Sequence, residues 1–434
     1  MRISVVGMGY VGCVTAACLS QDGHSVVGVD IDPRKVDAIN AGISPLFEPG
    51  LEALLREQVE AKRLSATTDL AASVLQSEIA LIAVGTPSAD DGSVNYKVVK
   101  HVIATIGEAL RDNDHSLTIV VRSTLLPGVL EDVLIPELTA AAGCEIGGRI
   151  RICSNPEFLR ETTAINDYYH PPYVLVGADD EETAQTVLEL YRGIDCEKIV
   201  TNTRVAAMIK YTCNAFHALK VGFANEVGTL AKSFGADGRE VMEIVCKDRQ
   251  LNISPAYLRP GFAFGGSCLP KDVRALNRYA QQQGVECNLL ASLLPSNQSH
   301  LQRAIRMVRE HGARRIGLVG LSFKAGTDDL RESPQVLLAE SLLGQGFDLK
   351  IFDPHVRLTA LVGSNLHYID ERLPHLAKLL CDDPRQFLEH SELLLVATGV
   401  VKQLGELDQF AGDIIDLRRD LVAPSAETAT VTGV

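Results

Sequence analysis

Residues 3–12 of the chain read ISVVGMGYVG, and Asp30 follows the last glycine of this stretch by 18 positions. The apolar run 3–6 predicts a buried strand, 10–22 predicts a helix and 25–30 predicts a second strand. A glycine-rich turn therefore joins a strand to a helix, and the next strand ends in an acidic residue. This order is typical of dinucleotide-binding α/β domains, whereas the glycines alone would also fit a turn without a ligand.

The glycines and the aspartate each have a separate predicted task. Gly7 allows the tight turn, Gly9 lets the backbone approach a pyrophosphate, and Gly12 lets the helix pack on the strand. The N-terminal end of the helix then faces the anionic pyrophosphate. Asp30 would accept hydrogen bonds from the adenosine ribose and repel a 2′-phosphate, so we expect NAD rather than NADP as cofactor.

Two α/β patterns flank a helical segment. Further predicted strands are 78–84, 117–122, 150–153 and 173–176, and, after Arg314, 315–319, 348–352, 393–397 and 413–416. Between them the apolar period is helical at 204–234, 238–247 and 289–311. We therefore predict an α/β fold with two Rossmann-like doubly wound domains joined by a helical central domain with a long helix. The expected domain boundaries are 1–200, 201–300 and 301–434.

Composition and charge narrow the class of protein. The 434 residues carry a formal charge of −14, which argues against nucleic acid or an anionic membrane surface as partner. Ten cysteines without a CxxC pair suit a reducing compartment and give no metal signature, so we expect a cytoplasmic protein without a metal. No stretch is apolar enough to span a bilayer, and glycines interrupt the uncharged segment 3–20 that could be mistaken for a signal peptide.

Two groups of polar residues are candidates for binding or catalysis. Thr86 and Thr124 follow predicted strands, at the edge where open α/β sheets bind ligands, although each could instead cap the segment that follows it. Lys210, Asn214 and His217 share one face of the predicted long helix. Such a face suits the binding of phosphates or of a developing oxyanion, and it would also suit simple exposure to solvent.

The segment 264–272, FGGSCLPKD, contains the candidate nucleophile. Ser267 can cap a helix and Pro270 suits its first turn, which places Cys268 at a helix N-terminus beside Lys271. The helix end and the neighbouring ammonium group both favour a thiolate, so we predict a reactive thiol. The alternative is one more buried cysteine, which is the fate expected for most of the other nine.

Seven separated segments resemble the UDP-glucose/GDP-mannose dehydrogenase family, in the family's order and over nearly the whole chain. They are GMGYVG with Asp30, VGTPS at 84–88, RSTLLPG at 122–128, NPEFLRE at 155–161, IKYTCNAFHA at 209–218, FGGSCLPKD at 264–272 and GLSFKAGTDDLRESP at 320–334. Residues 251–276 and the Asn-x-x-His after Lys210 are most similar to members that act on GDP-mannose.

The resemblance implies a role for each candidate. The implied catalytic group has a nucleophile (Cys268), an oxyanion-binding pair (Lys210 and Asn214), a residue for proton transfer (Asp272) and a pair that positions or activates water (Glu161 and Thr124). The residues implied to contact NAD are Gly7, Gly9, Tyr10, Val11, Gly12, Asp30, Lys35, Thr86, Thr124, Lys271 and Arg331. Those implied to hold a sugar nucleotide are Glu161, Lys210, Asn214, His217, Asn225, Tyr257, Arg259, Phe262, Gly265 and Lys324. Without the resemblance, the sequence around Glu161 fits a surface carboxylate as well as a residue that binds or activates water.

The resemblance also implies an assembly and a function for each domain. Residues 1–200 would bind NAD, 201–300 would dimerise and carry the cysteine loop, and 301–434 would bind the sugar nucleotide. Family members form homodimers, or higher oligomers, with the long middle helix at the interface. We therefore expect shared active sites, with the loop 251–262 reaching into the site of the partner.

The implied activity is a four-electron oxidation of a sugar-nucleotide C6 alcohol to the acid, through an aldehyde, a thiohemiacetal and a thioester on Cys268. We expect GDP-mannose as substrate and GDP-mannuronate as product, a precursor of acidic exopolysaccharides such as alginate. UDP-glucose is the alternative, because Ala256 stands where members acting on GDP-mannose have a tyrosine. Two other classes remain open, a two-electron hydroxy-acid-type dehydrogenase and a protein that holds NAD without turnover.

Overall fold

The computed structural model describes residues 1–89, 91–254, 257–258, 261–266, 268–323, 329–356, 363–405, 407 and 410–418, without the side chains of 363–366. The chain divides into two compact units, Met1–Ala218 and Leu219–Val434. Four positions named in the sequence predictions, Ala256, Arg259, Ser267 and Lys324, lie outside the described residues.

The first unit is built around one sheet of eight described strands with helices packed against it. The strands are β1 (Arg2–Val6), β2 (Ser25–Val29), β3 (Leu64–Thr67), β4 (Ile79–Ile82), β5 (Leu117–Val121), β6 (Ile150–Ser154), β7 (Tyr173–Gly177) and β8 (Glu197–Thr201). The helices are α1 (Tyr10–Gln21), α2 (Pro33–Asn40), α3 (Leu51–Glu60), α4 (Leu70–Val74), α5 (Lys97–Leu110), α6 (Ile135–Ala142), α7 (Ala164–Tyr169) and α8 (Glu181–Leu188). The long helix α9 (Thr203–Ser233) follows, and the boundary between the two units falls within it.

The strand order of this sheet is β3-β2-β1-β4-β5-β6-β7-β8. Neighbouring strands run parallel except β6 and β7, which pair antiparallel at Ser154 and Gly177. The predicted α/β fold is confirmed, and this one antiparallel pair departs from the parallel pairing of the other strands in the sheet. The six-residue helix α7 in the connection is too short to carry the chain back to the starting end of β6. The chain therefore re-enters the sheet from the end at which β6 leaves it.

The turn between β1 and α1 has the backbone geometry that its glycines permit. Gly7 has a φ of +96°, which an L side chain rarely adopts, and its N–H donates to the Val29 carbonyl oxygen at 2.7 Å. A Cβ added at Gly12 would lie 1.9 Å from the Gly7 carbonyl oxygen. The helix can therefore approach the turn this closely only because residue 12 carries no side chain.

The second unit contains a smaller sheet surrounded by helices. Its strands are β9 (Arg315–Val319), β10 (Asp348–Phe352), β11 (Leu393–Val396) and β12 (Asp413–Asp416), in the order β10-β9-β11-β12 with all pairs parallel. The helices are α10 (Gly238–Val245), α11 (Leu269–Gln283), α12 (Asn288–His311), α13 (Pro334–Gly344), α14 (Gly363–Arg372), α15 (Leu376–Leu379) and α16 (Pro384–His390). The predicted second α/β pattern and the predicted helical segments are confirmed.

The two sheets begin with the same local construction. In the first unit the backbone N–H of Met8 donates to the Asp30 carboxylate at 2.9 Å. In the second unit the backbone N–H of Leu321 donates to the Asp353 carboxylate at 2.8 Å. In both, an aspartate directly after the second strand holds the turn that follows the first. The two α/β halves are thus related in architecture although no short repeat is visible in the sequence.

The long middle helix expected at 204–234 is present as α9. The three-domain boundaries near residues 200 and 300 stay our proposal. No helix in the described part of the chain is long and apolar enough to cross a membrane. Within the same residues, no group of three or more His, Cys, Asp or Glu side chains is arranged to hold a metal ion.

We expect Gly12→Ala to destabilise the first unit, because its Cβ would overlap the Gly7 carbonyl oxygen. The free energy of unfolding should fall by about 1–3 kcal/mol or more, as in other overpacked cores. Gly9→Ala is the matched control, since no atom lies within 4 Å of the added Cβ. Thermal and denaturant unfolding of both variants checks this. Equal stability of the two variants would contradict the packing that we describe.

Candidate active site

The opening above the first turn fits the pyrophosphate of a dinucleotide. A Cβ placed at Gly9 would meet no atom within 4 Å, so the backbone is open to a ligand at this point. Helix α1 begins at the next residue, Tyr10, and no side chain caps it. The first N–H groups of the helix are therefore available to an anion.

Asp30 is almost buried, and its carboxylate already holds the surrounding backbone. Its oxygens accept from the backbone N–H of Met8 at 2.9 Å, from that of Asp32 at 3.0 Å and from Nζ of Lys35 at 3.0 Å. A carboxylate has about four acceptor positions, so capacity remains for a ribose hydroxyl. The Lys35 side chain is 39% exposed and can turn toward a ligand.

Two predicted residues meet at the carboxyl ends of neighbouring strands. Thr86 follows β4, Thr124 follows β5, and the Thr86 hydroxyl donates to the Thr124 carbonyl oxygen at 3.1 Å. Neither threonine caps a described helix, so that alternative reading of both residues is wrong. The hydrogen bond joins the two strand ends at the edge of the sheet where such folds bind ligands.

The polar face of α9 opens into a cleft of about 440 Å³ in the first unit. Lys210, Asn214 and His217 all line this cleft. Lys210 is 8% exposed, whereas Asn214 and His217 are exposed. The three residues therefore share a cavity, and the reading of this face as a plain solvated surface does not hold for Lys210.

The cleft also contains a carboxylate that the sequence reasoning missed. Glu157 pairs with Lys210, with 2.9 Å between Oε1 and Nζ, and only 12% and 11% of the two side chains are exposed. The second carboxylate oxygen of Glu157 accepts from the backbone N–H of Leu159 at 2.7 Å. The Phe158 ring lies under the ammonium group, 5.5 Å from Nζ to the ring centre. Glu157 stands in the quoted segment NPEFLRE, so its position just after a strand was the available signal.

Glu161 is exposed at the surface of the same unit, close to Tyr10. Burial of the Tyr10 hydroxyl, its hydrogen bond to Glu48 and the nearby charge of Glu161 raise the pKa of Tyr10 to about 12. The phenol therefore keeps its proton throughout the neutral range. The Glu161 carboxylate therefore lies near enough to the Tyr10 hydroxyl, at the start of α1, for its charge to act on that group.

In the second unit Cys268 is exposed and occupies the N-cap position of α11. Ser267, which we predicted to cap this helix, lies outside the described residues, and the Cys268 side chain makes no capping hydrogen bond. All ten cysteines lie in the described part of the chain, and only Cys246 and Cys268 are exposed. Burial raises the pKa of Cys13 and of Cys18 to about 12, so these thiols stay protonated.

The Arg331 guanidinium lies near enough to Cys268 for the two charges to interact. Arg331 makes a two-pronged ion pair with Asp329, at 2.9 and 2.8 Å. The pKa of Arg331 is raised, first by the hydrogen bond and charge of Asp329 and further by the charge of Cys268. The Lys271 ammonium pairs instead with the Asp272 carboxylate at 3.1 Å, on a side of the helix that is largely exposed.

The loop that carries Cys268 is held from two directions within the second unit. A Cβ on Gly265 would lie 2.3 Å from the Glu332 carbonyl oxygen, so only glycine allows this approach. The amide of Asn297 both accepts from the backbone N–H of Phe264 and donates to its carbonyl oxygen, each at 2.8 Å. Arg274 pairs with the Glu332 carboxylate at 2.6 Å. Asn297 was missed because nothing in a helical sequence pattern marks it as an anchor.

The other predicted sugar-nucleotide residues of the second unit are dispersed. Asn225 is an exposed residue of α9. Tyr257 is 85% exposed and has a φ of +62°. Phe262 is half-buried and packs against the core of this unit. Arg259 and Lys324 lie outside the described residues, so their placement is not part of the site geometry.

Three family models match successive parts of the chain. Residues 1–195 match the NAD binding domain of the UDP-glucose/GDP-mannose dehydrogenase family. Residues 204–299 match its central domain, and 317–415 match its UDP binding domain. Together the three matches cover most of the sequence, and the three domains follow one another along the chain.

Individual proteins agree with these matches. The GDP-mannose 6-dehydrogenase of Pseudomonas aeruginosa is 49% identical over 399 residues, 92% of each chain. The UDP-glucose 6-dehydrogenase AglM of Haloferax volcanii is 36% identical, over 97% of this chain and 95% of its own. Both relatives are dehydrogenases of nucleotide sugars by name.

The chain is also similar to a solved structure, a ternary complex of GDP-mannose dehydrogenase from Pseudomonas aeruginosa. The match has a TM-score of 0.94 at 47% identity and covers 99% of this chain and 98% of the other. The open glycine turn and the nearly buried Asp30 fit a dinucleotide-binding domain, and the similarity to this dehydrogenase extends over the full length of the chain. The chain therefore belongs to the UDP-glucose/GDP-mannose dehydrogenase family and is an NAD-dependent nucleotide-sugar dehydrogenase.

Proposed function

We propose that this enzyme oxidises the C6 alcohol of GDP-mannose to the carboxylate of GDP-mannuronate. Written for the reacting carbon, the reaction is R–CH₂OH + H₂O + 2 NAD⁺ → R–COO⁻ + 2 NADH + 3 H⁺. The observation that carries the proposal is the match along 99% of the chain to a GDP-mannose dehydrogenase, with a TM-score of 0.94. UDP-glucose is the second candidate substrate, because Ala256 replaces the tyrosine expected at that position.

Cys268 explains how one site can carry out two oxidations. Bound NAD⁺ supplies the hydride acceptor. The aldehyde formed first has a planar carbon, and addition of the Cys268 thiolate makes this carbon tetrahedral again, as a thiohemiacetal. Loss of its C–H as hydride gives a thioester, and water then breaks the C–S bond to release the acid and the thiol. The exposure of Cys268 and the nearby charge of Arg331 support this role.

Lys210 and Asn214 suit the stabilisation of negative charge on the substrate oxygen. An ammonium group has three N–H donors, and the pair with Glu157 uses one of them. The remaining donors can bind an oxyanion, while Glu157 and the Phe158 ring hold the side chain in one orientation. An oriented cation in a nearly buried position stabilises developing charge more than a solvated one does.

The water and proton steps fall to other residues. We assign Glu161 and Thr124 to the positioning or activation of the hydrolytic water, and Asp272 to proton transfer. The exposed carboxylate of Glu161 beside Tyr10 and the link between Thr124 and Thr86 support the first assignment. The pair between Asp272 and Lys271, one turn into α11, supports the second.

The cofactor and substrate residues complete the proposal. The residues that would hold NAD are Gly7, Gly9, Tyr10, Val11, Gly12, Asp30, Lys35, Thr86, Thr124, Lys271 and Arg331. The residues that would hold the sugar nucleotide are Glu161, Lys210, Asn214, His217, Asn225, Tyr257, Arg259, Phe262, Gly265 and Lys324. The product would be a building block for an acidic exopolysaccharide such as alginate.

We also propose that the enzyme is a homodimer with shared active sites and that it acts in the cytoplasm. Helix α9 exposes several large apolar side chains, among them Phe216, Leu219, Val221 and Phe223. Such a run on one helix suits contact with a second copy of the chain. A reducing compartment would keep Cys268 as a thiol.

The ratio of NADH to substrate tests the proposed reaction. We expect two NADH per GDP-mannose consumed, because both oxidations occur before the product leaves. UDP-glucose, assayed under the same conditions, should be oxidised far more slowly. One NADH per substrate would support a two-electron dehydrogenase instead, and a strong preference for UDP-glucose would refute the substrate assignment.

Cys268→Ser should reduce acid formation by at least about 1,000-fold, because a hydroxyl group cannot form the thioester. Cys246→Ser is the matched control, since Cys246 is the other exposed cysteine. The measurement is the rate of GDP-mannuronate formation at saturating substrate. Full activity of Cys268→Ser would rule out the assigned nucleophile.

Glu157→Gln should lower kcat by roughly 10- to 100-fold, because it leaves the nearly buried Lys210 ammonium without its ionic partner. Glu182→Gln is the control, since that carboxylate is 73% exposed in its pair with Arg151. Steady-state kinetics with both variants checks the difference. If the two variants had equal kcat, the Glu157–Lys210 pair would have no part in the reaction.

A further inference from the structure

A buried carboxylate that does not line the Lys210 cleft joins three distant parts of the first unit. Glu48 is 5% exposed. Its carboxylate accepts from the Tyr10 hydroxyl, from the backbone N–H of Thr162 at 2.8 Å and from that of Ala164 at 2.8 Å. The partners lie 38, 114 and 116 positions away along the chain. One side chain therefore connects the start of α1 to the segment that carries Glu161.

The segment 160–164 has a backbone conformation that needs such a holder. Thr162 has a φ of +70°, a left-handed conformation that is unfavourable for a residue with a branched side chain. Such a residue keeps this conformation only when its surroundings impose it. Two hydrogen bonds from this segment to Glu48 provide the constraint, on both sides of Thr163.

Tyr10 completes the arrangement. Its hydroxyl donates to Glu48 and accepts from the backbone N–H of Thr162 at 3.0 Å. Because burial and Glu48 raise the pKa of Tyr10 to about 12, the phenol remains a donor across the neutral range. The side chain of Glu161, one residue before Thr162, is near enough for its charge to act on this phenol.

We propose that Glu48 is a positioning residue for hydrolysis, which fixes the segment 160–164 so that Glu161 and the Tyr10 hydroxyl keep their relative placement. This inference rests on the proposed function, in which Glu161 acts on the water that attacks the Cys268 thioester. Removing the constraint should slow the release of the acid and leave the earlier oxidations largely intact. A purely structural role would instead lower thermal stability and leave the kinetics of the folded enzyme unchanged.

Glu48→Gln keeps the size of the side chain but replaces one acceptor oxygen by an NH₂ group, which cannot accept from a backbone N–H. We expect the rapid initial formation of NADH to stay within about threefold of wild type, while steady-state kcat falls roughly 10- to 100-fold. The pH profile of kcat should change along with it. Glu52→Gln is the control, because that carboxylate is 56% exposed and pairs with a neighbour on its own helix, Arg56.

A second substitution separates positioning from general loss of stability. Glycine adopts the left-handed conformation without strain, so Thr162→Gly should reduce the need for the constraint. The double variant Glu48→Gln/Thr162→Gly should recover kcat at least about threefold over Glu48→Gln alone. Failure of this recovery, with an unchanged pH profile, would assign Glu48 a structural role only.

The outcomes also separate this inference from the proposed function. If the wild-type enzyme does not make two NADH per substrate, the proposed function fails. If wild type does so and Glu48→Gln behaves like Glu52→Gln, only the inference fails. Should Glu48→Gln not fold, Glu48→Asp can replace it, because aspartate keeps the negative charge but its shorter side chain moves the carboxylate away from its partners. Initial and steady-state rates equal to those of wild type in that variant would overturn the inference.

Discussion

The close approach of α1 to the turn after β1 is the constraint on which the candidate site depends. A Cβ on Gly12 would lie 1.9 Å from the Gly7 carbonyl oxygen, so the helix lies there only because that position has no side chain. The approach fixes where α1 begins, which is at Tyr10. From Tyr10 the contacts pass to Glu48 and then to the backbone of Thr162. These contacts fix the segment that holds Glu161 relative to the glycine-rich turn.

The two units hold chemically different groups in different surroundings. The first holds its cation, Lys210, in a nearly buried pair with Glu157, which costs solvation but fixes the ammonium in one orientation. The second presents Cys268 at the exposed start of a helix, where a substrate can reach the sulfur. Charge stabilisation benefits from burial, whereas a nucleophile must be accessible. The different burial of Lys210 and Cys268 agrees with the roles that we propose for them.

The sequence was most informative where hydrophobic pattern and local turn chemistry agree. Strands β9, β10 and β12 have the bounds that the apolar runs predicted. The strands that escaped prediction, β3 and β8, are the two edges of the larger sheet. Their sequences, LSAT and EKIVT, are partly exposed, so they lack the continuous apolar run of a central strand. The antiparallel pairing of β7 with β6 was also missed, because the apolar pattern of a strand does not show whether it runs parallel or antiparallel to its neighbour.

The same limit applies to the site. Lys210, Asn214 and His217 were predicted to share one face of the long helix, because helical spacing alone places them there. Glu157 and Glu48 were not predicted as site residues, since their contacts join residues 53 and 114 positions apart. Contacts over such separations depend on how strands and helices pack, and no local pattern encodes them. Cys268 could be proposed as the nucleophile from the sequence because a glycine-rich helix start marks it locally.

Trapping the acyl enzyme tests the central claim, covalent oxidation at Cys268, most directly. Glu161→Gln should slow hydrolysis of the thioester, so acid quenching during turnover with GDP-mannose and NAD⁺ should retain the acyl group on the protein. Peptide mass mapping is then expected to find the added mass on the peptide that contains Cys268, and only when NAD⁺ is present. GDP-mannuronate formation at the wild-type rate with no adduct, or an adduct on another cysteine, would contradict the account.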